Sequence, residues 1–256
     1  MADLPVLVTL LPSSDTDMGR WLLQHYGVAY REAPHAPIFH LQVLKKMGLG
    51  RSDLPVLVEG DRMTVNVDGI SARFDPLAAA EQRLIPDPAT DPDLHADVMD
   101  LHHRLRWDMG MGTVRWAYYH FLRHRALVWP SLTTGIPARE RALLTVGYPV
   151  MKRMMFKGLG LSEATSLTAL AAVHAGFDEV EARLADGRSF LCGDRLSLAD
   201  LAFATSGAPM VLARGYGGHL PGFDALPPEM KDVMGPLRDR PAGQFIQRLY
   251  DDYRPA

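Results

Sequence analysis

One cysteine, Cys192, stands in 256 residues. That excludes an internal disulfide, a CxxC redox pair and a cysteine-rich zinc site. Charge excess is also missing: 27 Lys and Arg against 30 Asp and Glu leave a formal net charge of −3. Nothing here calls for nucleic acid, and no acidic block marks a disordered tail. The N-terminus has no charged stretch running into a long apolar one, so no signal peptide is read there. The most apolar segment, residues 198–213, is short for a membrane span and carries Asp200 and Pro209, so it reads as a buried core helix. Glycines at 158 and 160, and at 215, 217 and 218, follow no strand with phosphate-loop spacing, and no GxSxG elbow is present. His120 and His124 have i, i+4 spacing, but HFLRH lacks the glutamate of HExxH, and His102 and His103 on the same segment bring no third ligand set. A protein of the cytoplasm fits these absences, with no metal, no nucleic acid and no membrane as partner.

What is present divides the chain in two. Residues 4–11 (LPVLVTLL) form a short apolar run that predicts a buried strand. Residues 14–27 put Met18, Trp21, Leu22 and His25 at helical spacing, with Gly27 suited to the position after a helix end. A strand is predicted over 28–33, a short helix over 39–48, and a hairpin over 54–60 and 62–67 that turns at Gly60 and Asp61. Helical spacing returns over 68–84. The order is β-α-β-α-β-β-α. Residues 85–93 (IPDPATDPD) hold three prolines and three aspartates, which predicts a linker. No strand is read beyond it. A long helix is predicted over 92–128, with Trp107, Met111, Val114, Tyr118, Phe121 and Leu122 on one side. Further helices are predicted over 137–158, 162–186, 198–213 and near 237–251. The 13 methionines read as fillers of a helical core, or as the lining of an adaptable pocket.

Four local features give this organisation a resemblance. Residues 12–30 (PSSDTDMGRWLLQHYGVAY) place a serine-bearing helix start before an arginine, an apolar pair, a glycine and a tyrosine. Residues 54–61 (LPVLVEGD) are similar to "VPVLVDGD". A helix follows the hairpin, and residues 190–204 (FLCGDRLSLADLAFA) are similar to "GD-x-(S/T)-x-AD". Together they resemble the glutathione transferase superfamily over nearly the whole chain. The fold implied is α+β: a thioredoxin-like βαβαββα domain over 1–85 and an all-helical domain over 92–256. The resemblance also implies a cis peptide bond before Pro55 and a homodimer. Ser197 and Asp200, by contrast, are read as structural from spacing alone: S-x-x-D is a capping box at the start of a buried helix.

The chemistry implied is activation of the glutathione thiol. A hydroxyl donates a hydrogen bond to the developing thiolate, a helix N-terminus favours its charge, and the sulfur attacks a small, hydrophobic electrophile. Counted back from Gly27, Ser13 aligns with the serine of the plant-type classes. Ser14 follows it, and Thr16 lies within a turn. Ser14 and Asp17 also match a capping box, so the stretch reads equally as a cap. Pro55, through its cis peptide bond, would turn the backbone of Leu54 towards glutathione. Asn66-Val67 stands where the family has Glu/Gln-Ser: Asn66 retains hydrogen-bonding capacity, and Val67 retains an amide but no hydroxyl. Asp68 would face the ligand's amino group or cap the following helix. Asp53 stands where a lysine is common, with Arg51, Lys45, Lys46 and His40 as alternative cations. Trp107, Met111, Arg115 and Tyr118 are expected to line the electrophile pocket. Core packing is the alternative for Trp107 and Met111, and a solvated face for Arg115. The departures at 53 and 66–67 support a second reading, a non-catalytic binding or assembly protein or an enzyme for a different acidic ligand.

Overall fold

The alternation of short β-branched runs with helical segments in the first third of the chain builds a four-stranded sheet. The computed structural model describes residues 4–255. Strands β1 (Val6–Leu10), β2 (Arg31–His35), β3 (Val56–Glu59) and β4 (Arg62–Val65) are ordered β2-β1-β3-β4. β1 and β2 are parallel, with Leu7 opposite Glu32, while β1–β3 and β3–β4 are antiparallel, with Leu7 opposite Leu57. Helices α1 (Ser14–His25), α2 (Phe39–Lys46) and α3 (Asn66–Phe74) complete the unit. This is the expected thioredoxin-like order, with two adjustments. β2 begins at Arg31 rather than Val28, because residues 28–30 are still leaving the turn after α1. The helix predicted over 68–84 ends at Phe74, and Pro76 begins two short 3-10 turns in its place.

Among the described residues, eight α-helices follow: α4 (Pro92–Arg104), α5 (Gly110–Phe121), α6 (Arg125–Thr133), α7 (Ala138–Leu159), α8 (Glu163–Leu184), α9 (Leu198–Val211), α10 (Pro228–Asp239) and α11 (Pro241–Tyr253). The long helix expected over 92–128 is not uniform. It winds as a π-turn over Leu105–Met109, stops at Phe121, and restarts as α6. The last helix starts at Pro241, where the proline closes α10 and opens α11, instead of near 237. Among the described residues, no helix is long and apolar enough to cross a membrane.

One apolar core runs through both halves. Leu7, Trp21, Leu22 and Ile70 from the sheet side join Leu101, Phe177 and Phe203 from the helices. α9 is buried along nearly its whole length, as its composition requires. Its start is closed by Asp200, whose carboxylate accepts from the Ser197 amide (2.8 Å), the Ser197 hydroxyl (2.6 Å) and the Leu191 amide (2.9 Å). The aspartate arm of the box is as predicted. The serine arm is present too, and the Ser197 hydroxyl also donates to the carboxylate. Burial raises the Asp200 carboxyl to about 6. Gly19 is required where α1 crosses the hairpin, since a Cβ there would lie 2.5 Å from the Pro55 ring.

Candidate active site

The start of α1 lies where the sheet domain meets the helices. Ser13 is the N-cap residue, extended at φ −89° and ψ 130°, and its side chain makes no capping bond. Capping is left to the backbone: the Ser13 carbonyl accepts from the Asp17 amide at 3.1 Å. Ser14 occupies the first helical turn, and no partner takes either hydroxyl among the described residues. The capping box read between Ser14 and Asp17 is therefore not formed. Asp17 turns the other way, fully buried, and accepts from the Gly217 amide (2.8 Å), the Tyr250 hydroxyl (2.5 Å) and Arg254 (2.8 and 2.9 Å). The helix start thus keeps its positive dipole end and two uncommitted hydroxyls, a setting that favours a thiolate.

Ser14 lines a cavity of about 60 Å³, open to solvent on one side, between α1, α5, α6 and the segment 216–221. Its walls are apolar in the main, with Val114, Ala117, Phe121 and Val128 opposite Leu220 and Pro221. Tyr118 lines it, and burial raises its phenol so that it stays protonated. Trp107, Met111 and Arg115 lie outside its lining. Trp107 is 36% exposed, with the Arg106 guanidinium stacked 4.7 Å from its ring, and Arg115 faces solvent. Ser13 lies between two lining residues, Pro12 and Ser14, and is half-buried.

The Leu54–Pro55 peptide bond is cis. Among the described residues no backbone group pairs with the Leu54 amide or carbonyl, so both are available to an extended ligand. The next corner differs from the resemblance. Asn66 has φ +52°, a conformation Asn tolerates, and its Oδ1 accepts from the Gly69 amide at 3.0 Å. It caps α3. Val67 is fully buried in the core. Asp53 is spent locally as well, accepting from the Gly50 amide at 2.7 Å. Arg51, Lys45 and Lys46 are exposed, and His40 has its Nδ1 3.4 Å from the Ala36 carbonyl.

Asp68 is held by residues the sequence did not single out. Arg106, buried in the π-turn, donates from Nη1 to Asp68 (2.6 Å) and from Nε and Nη2 to Asp15 (2.8 and 3.1 Å). His102 Nε2 lies 2.9 Å from the other Asp68 oxygen. One guanidinium therefore joins the first turns of α1 and α3 across the domain boundary, in the planar fork geometry arginine provides. Partial burial opposes ionisation of Asp68, but the His102 contact and the Arg106 charge hold its carboxyl down at about 2. No sequence spacing announces the pairing, since Asp15 and Arg106 are 91 residues apart. Cys192 is buried away from this site, and burial pushes its thiol up to about 12. Among the described residues no group of three His, Cys, Asp or Glu could hold a metal.

The fold has counterparts. Residues 136–242 match the family model described as "Glutathione S-transferase, C-terminal domain". A glutathione S-transferase of Ceriporiopsis subvermispora, solved in complex with glutathione, superposes with a TM-score of 0.59 at 17% identity, covering 96% of this chain and 95% of that one. One from Xanthobacter autotrophicus gives 0.56 at 14% identity, over 98% and 95%. One from Sinorhizobium meliloti gives 0.53 at 21%, over 95% and 92%. No curated protein matches the chain. At these identities the likeness is one of architecture: a thioredoxin-like domain followed by a helical glutathione transferase domain.

Proposed function

We propose that this protein is a glutathione-dependent transferase. A serine at the start of α1 activates the thiol, which attacks a small apolar electrophile in the adjoining cavity. The observation that carries the reading is the helix start itself: Ser13 and Ser14 are free of capping bonds, and Ser14 opens onto a largely apolar cavity. The Leu54 backbone, Asn66 and Asp68 surround the place where the peptide backbone of glutathione would lie, and Val67 offers an amide alone. Tyr118 contributes to the electrophile wall, and Trp107, Met111 and Arg115 to its approach. The reading takes residues 1–85 and 92–256 as two domains of a cytoplasmic homodimer. Light scattering at twice the chain mass tests the last point.

The thiol reaction is written simply. The serine hydroxyl donates to sulfur as the thiol proton leaves to solvent, the sulfur bonds to the electrophilic carbon, and its leaving group departs with the electron pair. Calorimetric titration with glutathione, repeated on Ser13→Ala and Ser14→Ala, tests this. Millimolar-or-tighter binding with a thiolate absorbance lost in one variant is the expected result, and absence of binding at millimolar glutathione overturns it.

A second reading has its own observation. Val67 is sealed in the core and Asp68 is engaged by Arg106 and His102, which leaves the γ-glutamyl end of glutathione with few free partners. On that reading the cavity serves a different acidic ligand or a binding role, and apolar ligands bind without glutathione.

A further inference from the structure

Asp17 is a carboxylate with no solvent exposure, on the same helical turn as the two serines, and neither the helix nor the thiol chemistry requires it. Its oxygens instead collect groups from the far end of the chain: the Gly217 amide, the Tyr250 hydroxyl and the Arg254 guanidinium. Aromatic packing reinforces the contact, with the Trp21 and Tyr250 rings 4.9 Å apart and Arg254 5.3 Å over Trp21. Segment 214–221, which includes Gly217, also provides cavity wall through Tyr216, Leu220 and Pro221. A second tether, from the Ser131 hydroxyl to the His219 carbonyl (2.7 Å), holds the same segment to α6.

We propose that Asp17 is a positioning residue for the cavity: it clasps segment 214–221 and α11 onto the first turn of α1, so that wall and serines are set as one unit. Its consequence for turnover rests on the transferase reading, and the clasp itself rests on geometry alone. A buried carboxylate satisfied by three donors holds them firmly, because any donor that leaves exposes an unpaired charge to an apolar interior. The distance between the electrophile and the helix start is therefore fixed by a contact that touches neither reactant. Misplacement by an ångström is enough to lower the rate of an oriented reaction.

Gly217 supplies a narrow probe. A Cβ there would lie 2.6 Å from the Asp17 carboxylate and 3.1 Å from the Arg20 guanidinium, so Gly217→Ala pushes the segment off its anchor without touching the core. Gly222→Ala, on the same stretch with open space around it, is the control. With 1-chloro-2,4-dinitrobenzene as electrophile, Gly217→Ala is expected to raise its KM about five- to tenfold, with the glutathione KM close to wild type and Gly222→Ala unchanged. Hydrogen exchange reads the clasp without any thiol: the Gly217 amide should exchange at least tenfold faster in Asp17→Asn and Gly217→Ala than in wild type. Equal exchange in all three overturns the clasp. Unchanged kinetics in Gly217→Ala, or both KM values rising in proportion, overturn the positioning role. A wild type that neither binds nor turns over glutathione counts against the transferase reading alone. In that case fluorescence titration of the cavity with anilinonaphthalene sulfonate decides the positioning role, which needs weaker binding in Gly217→Ala and fails if binding is equal.

Discussion

Ser14-x-x-Asp17 and Ser197-x-x-Asp200 share one spacing, and the protein uses them in opposite ways. At α9 the aspartate folds back, takes two amides and a hydroxyl, and closes a helix start that water does not reach. At α1 the aspartate turns toward the C-terminal segment, and both serine hydroxyls are left unbound. The difference lies in what surrounds each carboxylate. Around Asp200 the available donors are local. Around Asp17 an arginine, a phenol and an amide from residues 217–254 compete for the same oxygens and win. A capping motif closes a helix only when nothing better supplied with donors lies nearby.

Mutations can sharpen this contrast. The largest effect is expected from Asp200→Ala. It orphans the buried amides of Leu191 and Ser197, each costing about 1–3 kcal/mol, for a total of roughly 3–5 kcal/mol by chemical denaturation. Glutathione affinity should stay unchanged, and an equal loss of affinity would break the separation of cap from site. Next comes Arg106→Met, which strips the shared cation from Asp15 and Asp68. Removing one partner of a buried ion pair typically costs about 3–5 kcal/mol, and the half-exposed Asp68 places this case near the lower figure. Both stability and glutathione binding should fall, because the two helix starts are no longer held together.

A smaller effect is expected with pH. The Asp68 carboxyl is held at about 2 in the folded chain against an ordinary 3.8, so the native state binds its proton later than the unfolded state does. Its contribution is present above pH 3.8 and fades as pH falls toward 2. Half of the side chain is exposed, which screens the interaction to about 1 kcal/mol. The stability gap between wild type and Asp68→Asn should close over that interval in urea melts. The smallest stability effect belongs to the serines. Ser13→Ala and Ser14→Ala should each cost under about 0.5 kcal/mol, whereas loss of a working cap costs about 1 kcal/mol or more. A larger loss at either would mean that the hydroxyl caps α1 after all.

Much of the architecture was legible because it is written in local periodicity. The apolar run of residues 4–11, the hairpin pattern of 54–67, the proline linker and the mostly apolar α9 each had one structural solution. The site was legible in part. Ser14 and Tyr118, both named from sequence, line one cavity. Trp107, Met111 and Arg115 do not line it: Trp107 lies in the π-turn, Met111 is on the face of Tyr118 but two turns along the helix from it, and Arg115 points to solvent. Arg106 went unnoticed because its partners, Asp15 and Asp68, are 91 and 38 residues away. Asp17 was weighed only as a cap, since nothing near residue 17 announces Gly217, Tyr250 and Arg254 as partners. Such long-range pairings depend on how the whole chain packs, and no window of sequence contains them.

The π-turn also acts as a phase adjuster. A wider turn there carries one residue more than a regular helix would, so the rod holds two registers end to end. The α4 half is set to pack on α9, and the α5 half is set to pack on α8 and to present Tyr118 to the cavity. Removing a single residue between 105 and 109 would rotate everything beyond it by about 100°. Either the α8 packing or the α9 packing would then be lost. One inserted residue thus lets a single helix serve a structural seam at one end and a chemical wall at the other.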